Sequence, residues 1–353
     1  MSKSIVNTHV YPFHFETKEI QGTNPTGEAK TLNISIPNVR GRIPSIQASR
    51  MRTLVLEAHS DPSKIIAQVC SYDALSSRLV EEAGFPIVFL AGYAMASTLG
   101  LPDTGYFAFQ EVISKIQETV RQVSVPVVAD GDTGYGSPMN VKRTVEGFAL
   151  AGAAGVMIED QTWPKRKFAG CGHTKGKSVV PRDEAYARIQ AAVDARNQGL
   201  DIWILARTDS LIHGYDEALA RAKKFKELGA DCIFVEALPD RATMEKFRKD
   251  IDNFPCMGNI IEGGKTENLS AKDMAEMGYS MVCYPWTLVA AKLRSIRETL
   301  ENLKESMIIG KPPVVLSYEE VCEGVGFNKY YEEEEKYQFK DSKSGSKGYQ
   351  WKY

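Results

Sequence analysis

Short apolar runs rich in Val and Ile alternate along the middle of the chain with longer amphipathic stretches. The runs predict strands at 65–70, 86–92, 126–132, 155–160, 203–209, 232–238, 255–261 and 280–286. Apolar residues at helical spacing between them predict helices, among them 111–123, 140–152 and 216–229, the last two closed by Gly152 and Gly229. A longer helix runs from Thr287 to about Met307. Strands that read as continuous apolar runs are covered on both faces. Eight such strand–helix pairs predict an α/β fold of the (β/α)8 barrel type rather than an open sheet. No Gly-x-Gly-x-x-Gly follows the first strand, which sets a dinucleotide fold aside. Residues 1–50 are polar with little periodicity and read as an N-terminal extension. Residues 51–325 carry the barrel, and 326–353, with a Glu run followed by Lys, Ser and Gly, read as a polar, flexible tail.

Composition changes this picture little. With 353 residues, 43% hydrophobic and 25% charged, the chain suits a soluble globular protein. A net charge of −2 offers no footprint for nucleic acid or a membrane surface. No apolar run reaches the roughly 18 residues of a membrane span, and the first residues lack the apolar stretch of a secretory signal. The six cysteines show no zinc-type spacing and read as reduced thiols of a cytoplasmic protein.

Polar residues collect where the predicted strands end. In a barrel of this kind the C-terminal strand ends and the loops after them build the active site. Asp130 and Asp132 close one strand, Glu159 and Asp160 the next, then Arg207, Thr208 and Asp209, with Glu236 and Asn259 on the two after that. Acids without a His/Cys set favour a hard, oxygen-ligated cation, Mg²⁺ or Mn²⁺. Asp130 and Asp132 are two apart and share a face if the strand continues through them. Arg207 is a natural clamp for a carboxylate or phosphonate, or else the ion-pair partner of Glu236. The long Gly- and Lys-rich segment from Glu159 to Lys177 has the length of a lid. Its Cys171, among Lys and Arg residues, is either a thiol with lowered pKa or an inert loop cysteine.

Taken together, SYDALSSRLVEEAGF (71–85), LAGYAMASTLGLPDTG (90–105), ADGDTGYGSPMNVKRTV (129–145), IEDQTWPK (158–165), CGH (171–173), ARTD (206–209), VEA (235–237) and NIIEGG (259–264) resemble the isocitrate lyase/phosphoenolpyruvate mutase superfamily. The resemblance spans about Ile46 to Lys304. It implies a barrel whose last helix is exchanged between partners in a homo-oligomer, a dimer of dimers. It implies Mg²⁺ held through Asp103, Asp130, Asp132 and Glu159. Substrate, a small dicarboxylate, would meet Tyr72, the turn Ala91–Gly92–Tyr93, Arg207, Asn259 and Thr266, with Gly172 and His173 from the lid. Catalytic roles would fall to Cys171, Lys165, Arg207 and Glu236, Cys171 protonating the carbanion left by C–C cleavage. A Cys at 171 points to the lyase branch and its oxaloacetate-hydrolysing relatives rather than to the phosphonate mutases. Three departures stand out. Ala91 replaces the usual Ser. Lys-Phe-Ala-Gly separates Lys165-Arg166 from Cys171, so that Lys165 and Lys167 compete for one role. Gly-Lys-Thr266-Glu267 follows where relatives have Thr-Pro. The expected reaction is a retro-aldol cleavage of a 2-substituted malate of the 2-methylisocitrate or 2,3-dimethylmalate type. The alternatives are oxaloacetate hydrolysis to oxalate and acetate, phosphonopyruvate mutase or hydrolase chemistry, and a non-catalytic barrel with a binding role.

Overall fold

The computed structural model describes residues 15–23, 29–37, 42–163, 165 and 176–337. Within the expected extension, β1 (Phe15–Thr23) and β2 (Ala29–Pro37) pair antiparallel, Phe15 opposite Pro37 and Thr23 opposite Ala29. The signal for β2 is the alternation of Leu32, Ile34 and Ile36, the two-residue period of a strand. Helix α1 (Ile46–Ser60) follows, its first turn held by the Ser45 side chain, which accepts from the Ala48 N–H.

Eight parallel strands then close a barrel: β3 (Ile66–Ser71), β4 (Val88–Leu90), β5 (Val127–Asp130), β6 (Gly155–Glu159), β7 (Trp203–Thr208), β8 (Cys232–Val235), β9 (Cys256–Asn259) and β10 (Met281–Tyr284), with β10 hydrogen-bonded back to β3. The helices between them are α2 (Ala74–Glu82), α3 (Gly92–Thr98), α4 (Phe109–Val120), α5 (Pro138–Leu150), α6 (Arg182–Gln198), α7 (Tyr215–Leu228), α8 (Arg241–Asp250) and α9 (Ala271–Glu276). This is the (β/α)8 barrel that the pattern predicts. Apolar residues on alternate strand positions divide into two clusters. One, including Val88, Val156, Ile204 and Val282, packs under the helices around Phe148, Phe225 and Phe247. The other, including Phe89, Met157, Leu205, Phe234 and Met257, fills the bore.

The strands stop earlier than their apolar runs suggest, because the chain turns once the ladder ends. Asp132 is such a case. The strand does not continue through it: β5 ends at Asp130, and Asp132 takes a left-handed φ of 50°. The shared-face argument for Asp130 and Asp132 therefore fails, and a turn at Gly131, not strand alternation, brings them together. The Gly131 N–H donates to the Met157 carbonyl at 2.8 Å.

Residues 1–291 and 292–353 form two compact units, and helix α10 (Thr287–Ile309) starts in the first and continues into the second. In the second unit, α11 (Tyr318–Val325) is capped by Ser317 and ends at Gly326, φ 93°. Helix α12 (Phe327–Glu335) begins there, within the stretch read above as tail, and Phe327 stacks on Tyr331 at 6.0 Å. The Glu run is compatible with a helix as well as with a solvated coil, since Glu is a good helix former. No helix among the described residues is long and apolar enough to cross a membrane.

A Cβ on Gly131 would lie 2.8 Å from both the Met157 carbonyl oxygen and Ile158 Cδ1, and backbone cannot yield as a side chain can. Gly131→Ala is expected to cost about 1–3 kcal/mol through overpacking, read as a lower urea midpoint. An unchanged midpoint would show that the turn is not constrained.

Candidate active site

At the C-terminal rim the strands deliver a continuous set of buried charges. Pairing of β6 with β7 sets Glu159 opposite Arg207, so their side chains are neighbours in the sheet. Arg207 Nε lies 3.1 Å from Glu159 Oε2. The same guanidinium grips Asp209 with two bonds, Nε to Oδ2 at 2.8 Å and Nη2 to Oδ1 at 3.0 Å. Its Nη2 also reaches Glu236 Oε2 at 3.0 Å. Asn259 Nδ2 donates to that Glu236 oxygen at 3.4 Å. Lys177 adds a second cation to Asp209. Burial works against the Asp209 charge, but Arg207 and Lys177 outweigh it and hold this carboxyl far below the usual range.

A second knot joins the first through Glu159. Lys165 Nζ sits 3.2 Å from Asp103 Oδ1, 3.1 Å from Asp132 Oδ2 and 3.4 Å from Glu159 Oε1. Burial opposes its charge, yet Asp132, Glu159, Asp103 and Asp130 hold it well above the ordinary lysine value. Asp130 accepts from the Gly92 N–H at 3.0 Å and the Asp132 N–H at 2.9 Å. A Cβ on Gly92 would approach Asp130 Oδ2 to 3.0 Å, so a side chain here would push the Asp130 carboxylate back by a few tenths of an ångström.

Among the described residues, Asp103, Asp130, Asp132, Glu159, Asp209 and Glu236 meet Lys165, Lys177 and Arg207 in these ion pairs and contacts. Asp130 is pushed up to about 7 by burial first and then by Glu159, Asp132 and Asp103, with Lys165 opposing. Such a cluster of carboxylate oxygens fits a hard cation. Among the described residues no three acidic, histidine or cysteine side chains are disposed to hold a metal directly.

Beside these charges opens a pocket. Asp130, Arg207 and Asn259 contribute polar groups to its lining. Ala91, Tyr93, Ile261, Pro285 and Trp286 line it together with Phe89, Met157, Phe234 and Met257. Tyr93 stacks on Trp286 at 5.9 Å between ring centroids and donates its hydroxyl to the Pro285 carbonyl.

Residues 56–304 match the family described as phosphoenolpyruvate phosphomutase. The chain belongs to this family. Within the phosphoenolpyruvate mutase/isocitrate lyase superfamily it is 38% identical over 269 residues to "Probable 2-methylisocitrate lyase 2" of Corynebacterium glutamicum, covering 76% of this chain and 86% of that one. It is 33% identical to 2,3-dimethylmalate lyase of Eubacterium barkeri, over 82% of this chain and 98% of the relative. Among solved structures, oxaloacetate acetylhydrolase in complex with 3,3-difluorooxalacetate superposes with a TM-score of 0.74 at 29% identity, over 82% of this chain and 97% of that one. Both of these relatives are named as lyases, and this phosphomutase-family chain is a carbon–carbon lyase.

The rim thus gathers Asp103, Asp130, Asp132, Glu159, Lys165, Arg207, Glu236 and Asn259, and the pocket lining takes Ala91 and Tyr93. Gly92 meets the site through its N–H. Tyr72 and Thr266 are not among the residues lining the pocket. Cys171, Gly172, His173 and Lys167 lie outside the described residues. Lys165 is the lysine seen among the acids. Arg207 proves to be an ion-pair partner of Glu236, as one of its two readings required, while also lining the pocket. Sequence reasoning gave no role to Asp209 or Lys177. Asp209 was findable, since it stands two residues after Arg207. Lys177, 32 residues from its partner, was not.

Asp209→Asn leaves Arg207 and Lys177 buried with less countercharge, and a buried pair broken in this way costs about 3–5 kcal/mol. The depressed carboxyl contributes stability that is complete above the ordinary carboxylate range and is lost progressively as pH falls from that range to its depressed folded value. The variant is therefore expected to be weaker at neutral pH and to lose part of this gap in strong acid, as urea titrations across pH would show. Equal stability at pH 7 would refute the role of Asp209 between Arg207 and Lys177.

Proposed function

We propose that the chain cleaves the C–C bond of a 2-substituted malate of the 2-methylisocitrate or 2,3-dimethylmalate type by a retro-aldol step. The observation that carries this reading is the mixed lining of the pocket, Asp130, Arg207 and Asn259 together with apolar residues. Polar groups would orient the carboxylates and the 2-oxygen, while Ile261, Met257 and Trp286 suit an alkyl substituent. Asp103, Asp130, Asp132 and Glu159 would hold Mg²⁺, or Mn²⁺, in part through water, and the ion would supply Lewis acidity toward the 2-oxygen.

The chain's own groups do the rest. Arg207, fixed by Asp209, Glu159 and Glu236, presents a pre-oriented cation, so little reorganisation is needed as negative charge develops. Glu236, beside Asn259, would receive the 2-hydroxyl proton. Lys165 keeps Asp103, Asp132 and Glu159 gathered. Cys171, with Gly172 and His173 on the lid segment, would return a proton to the departing carbanion. The likeness to oxaloacetate acetylhydrolase favours a second reading, hydrolysis of oxaloacetate, whose hydrated ketone resembles the 2-hydroxy acid. We further propose a cytoplasmic homo-oligomer, a dimer of dimers. Leu293, Ile296 and Leu300 of α10, at helical spacing, are 49%, 49% and 58% exposed, an apolar stripe that a second copy could cover.

Incubation with Mg²⁺ and a panel of 2-methylisocitrate, 2,3-dimethylmalate, oxaloacetate and phosphonopyruvate separates the readings by product. A keto acid from a malate is expected, oxalate with acetate would favour the second reading, and phosphate or no product would overturn both. In the same assay, excess EDTA is expected to abolish turnover and Mg²⁺ to restore it. Cys171→Ser should lower kcat by about two orders of magnitude or more with a smaller change in KM. Full rates in chelator would remove the metal, and near wild-type turnover by the Ser variant would remove Cys171. Light scattering at micromolar concentration should return a mass of several chains, and a monomer would refute the assembly.

A further inference from the structure

Two thiols that the proposed chemistry does not use meet inside the pocket. Cys70 is the fifth residue of β3 and Cys283 the third of β10, the two strands whose pairing closes the barrel. Their sulfurs are 3.4 Å apart. The register sets Cys283 opposite Gln68, so Cys70 lies two residues further along and shares the face of Gln68. Each side chain is only 2% exposed, which alone would mark an inert cysteine. Both nevertheless line the pocket, so a molecule small enough to enter it can reach them. Cys232 and Cys256 are equally buried but do not line it.

We propose that Cys70 and Cys283 form an oxidisable dithiol in the pocket, closed to a disulfide by a hydroperoxide. One thiol is oxidised to the sulfenic acid as hydrogen peroxide is reduced and the first water leaves. The other sulfur then attacks it, forming the S–S bond and releasing the second water. The two thiols give up two electrons and two protons, and the peroxide takes them. A disulfide holds its sulfurs at about 2.05 Å, so the pair closes by more than about 1 Å from contact. Because the thiols are diagonal neighbours, closure also draws together the ends of β3 and β10. Pro285 and Trp286 follow directly on β10 and line the pocket. Oxidation thereby changes the site's shape and removes two thiols from its lining. A dithiol reductant reverses it.

The test uses the full-length wild-type chain. After treatment with a few equivalents of hydrogen peroxide, remaining thiols are alkylated and the protein is digested without reductant. The expected product is a Cys70–Cys283 linked peptide pair two hydrogens lighter than the separate peptides. Dithiothreitol should remove the link and Cys283→Ser should prevent it, while Cys232 and Cys256 are recovered alkylated. Turnover of whichever panel substrate the enzyme accepts should fall with the linked fraction and recover on reduction. The link is read by mass, so it stands or falls independently of the reaction assigned above. Recovery of Cys70 and Cys283 as alkylated peptides at peroxide levels that oxidise Cys171 would overturn the proposal. So would over-oxidation of either without the link, or a link that leaves turnover unchanged. If Cys283→Ser fails to fold, Cys70→Ser and the wild-type map decide it.

Discussion

The buried ion-pair network at the strand ends is the constraint on which the rest of the site depends. Lys165, Glu159, Arg207, Asp209 and Lys177 form an unbroken chain of contacts, and Glu159 touches both knots. Taking any of these charges out of water costs several kcal/mol, repaid only while each partner stays in place. The network therefore demands a scaffold that holds five strand ends in register. A closed barrel does this, because every strand is hydrogen-bonded on both sides and none can slide alone. The β6–β7 register alone determines that Glu159 stands beside Arg207.

Among the described residues acids crowd the rim, and this crowding links stability to function. Asp130 stands among Glu159, Asp132 and Asp103 and is drawn toward its neutral form, a condition that an added cation would relieve. Thr208 and Arg221, by contrast, serve Asp160 behind the rim, with Thr208 donating to Asp160 at 2.6 Å and Arg221 at 3.1 Å. Asp160 is still pushed up to about 6 by burial and by Asp209. It also accepts from the Asp209 N–H at 2.9 Å, so the second row of charges orients the first.

Much of the fold was legible because a doubly covered strand must be apolar throughout, and eight such runs stand out against polar loops. Their ends were read too long. Val-Val-Ala-Asp-Gly-Asp looks continuous, but the turn at Gly131 is made by a carbonyl on the next strand, which local composition does not reveal. The antiparallel pair β1–β2 and helix α12 were missed because their signals, a short alternation and a Glu run, also suit coil. At the site, strand-end acids and Arg207 were visible by position and type. The walls were not: Phe89, Met157, Phe234 and Met257 read as core, since an inward apolar residue looks the same whether it packs against another or borders a cavity.

By itself the sequence determined the barrel class, the strands that carry chemistry and, through its motifs, the superfamily. Those properties follow from residue type and short-range spacing. Only the tertiary structure decided which charges pair, that Lys165 sits among three carboxylates, that Lys177 reaches Asp209 across 32 residues, and that Cys70 meets Cys283 across 213. Closure of the barrel brings its first and last strands together, and no local pattern in a chain records which distant residues that closure makes neighbours.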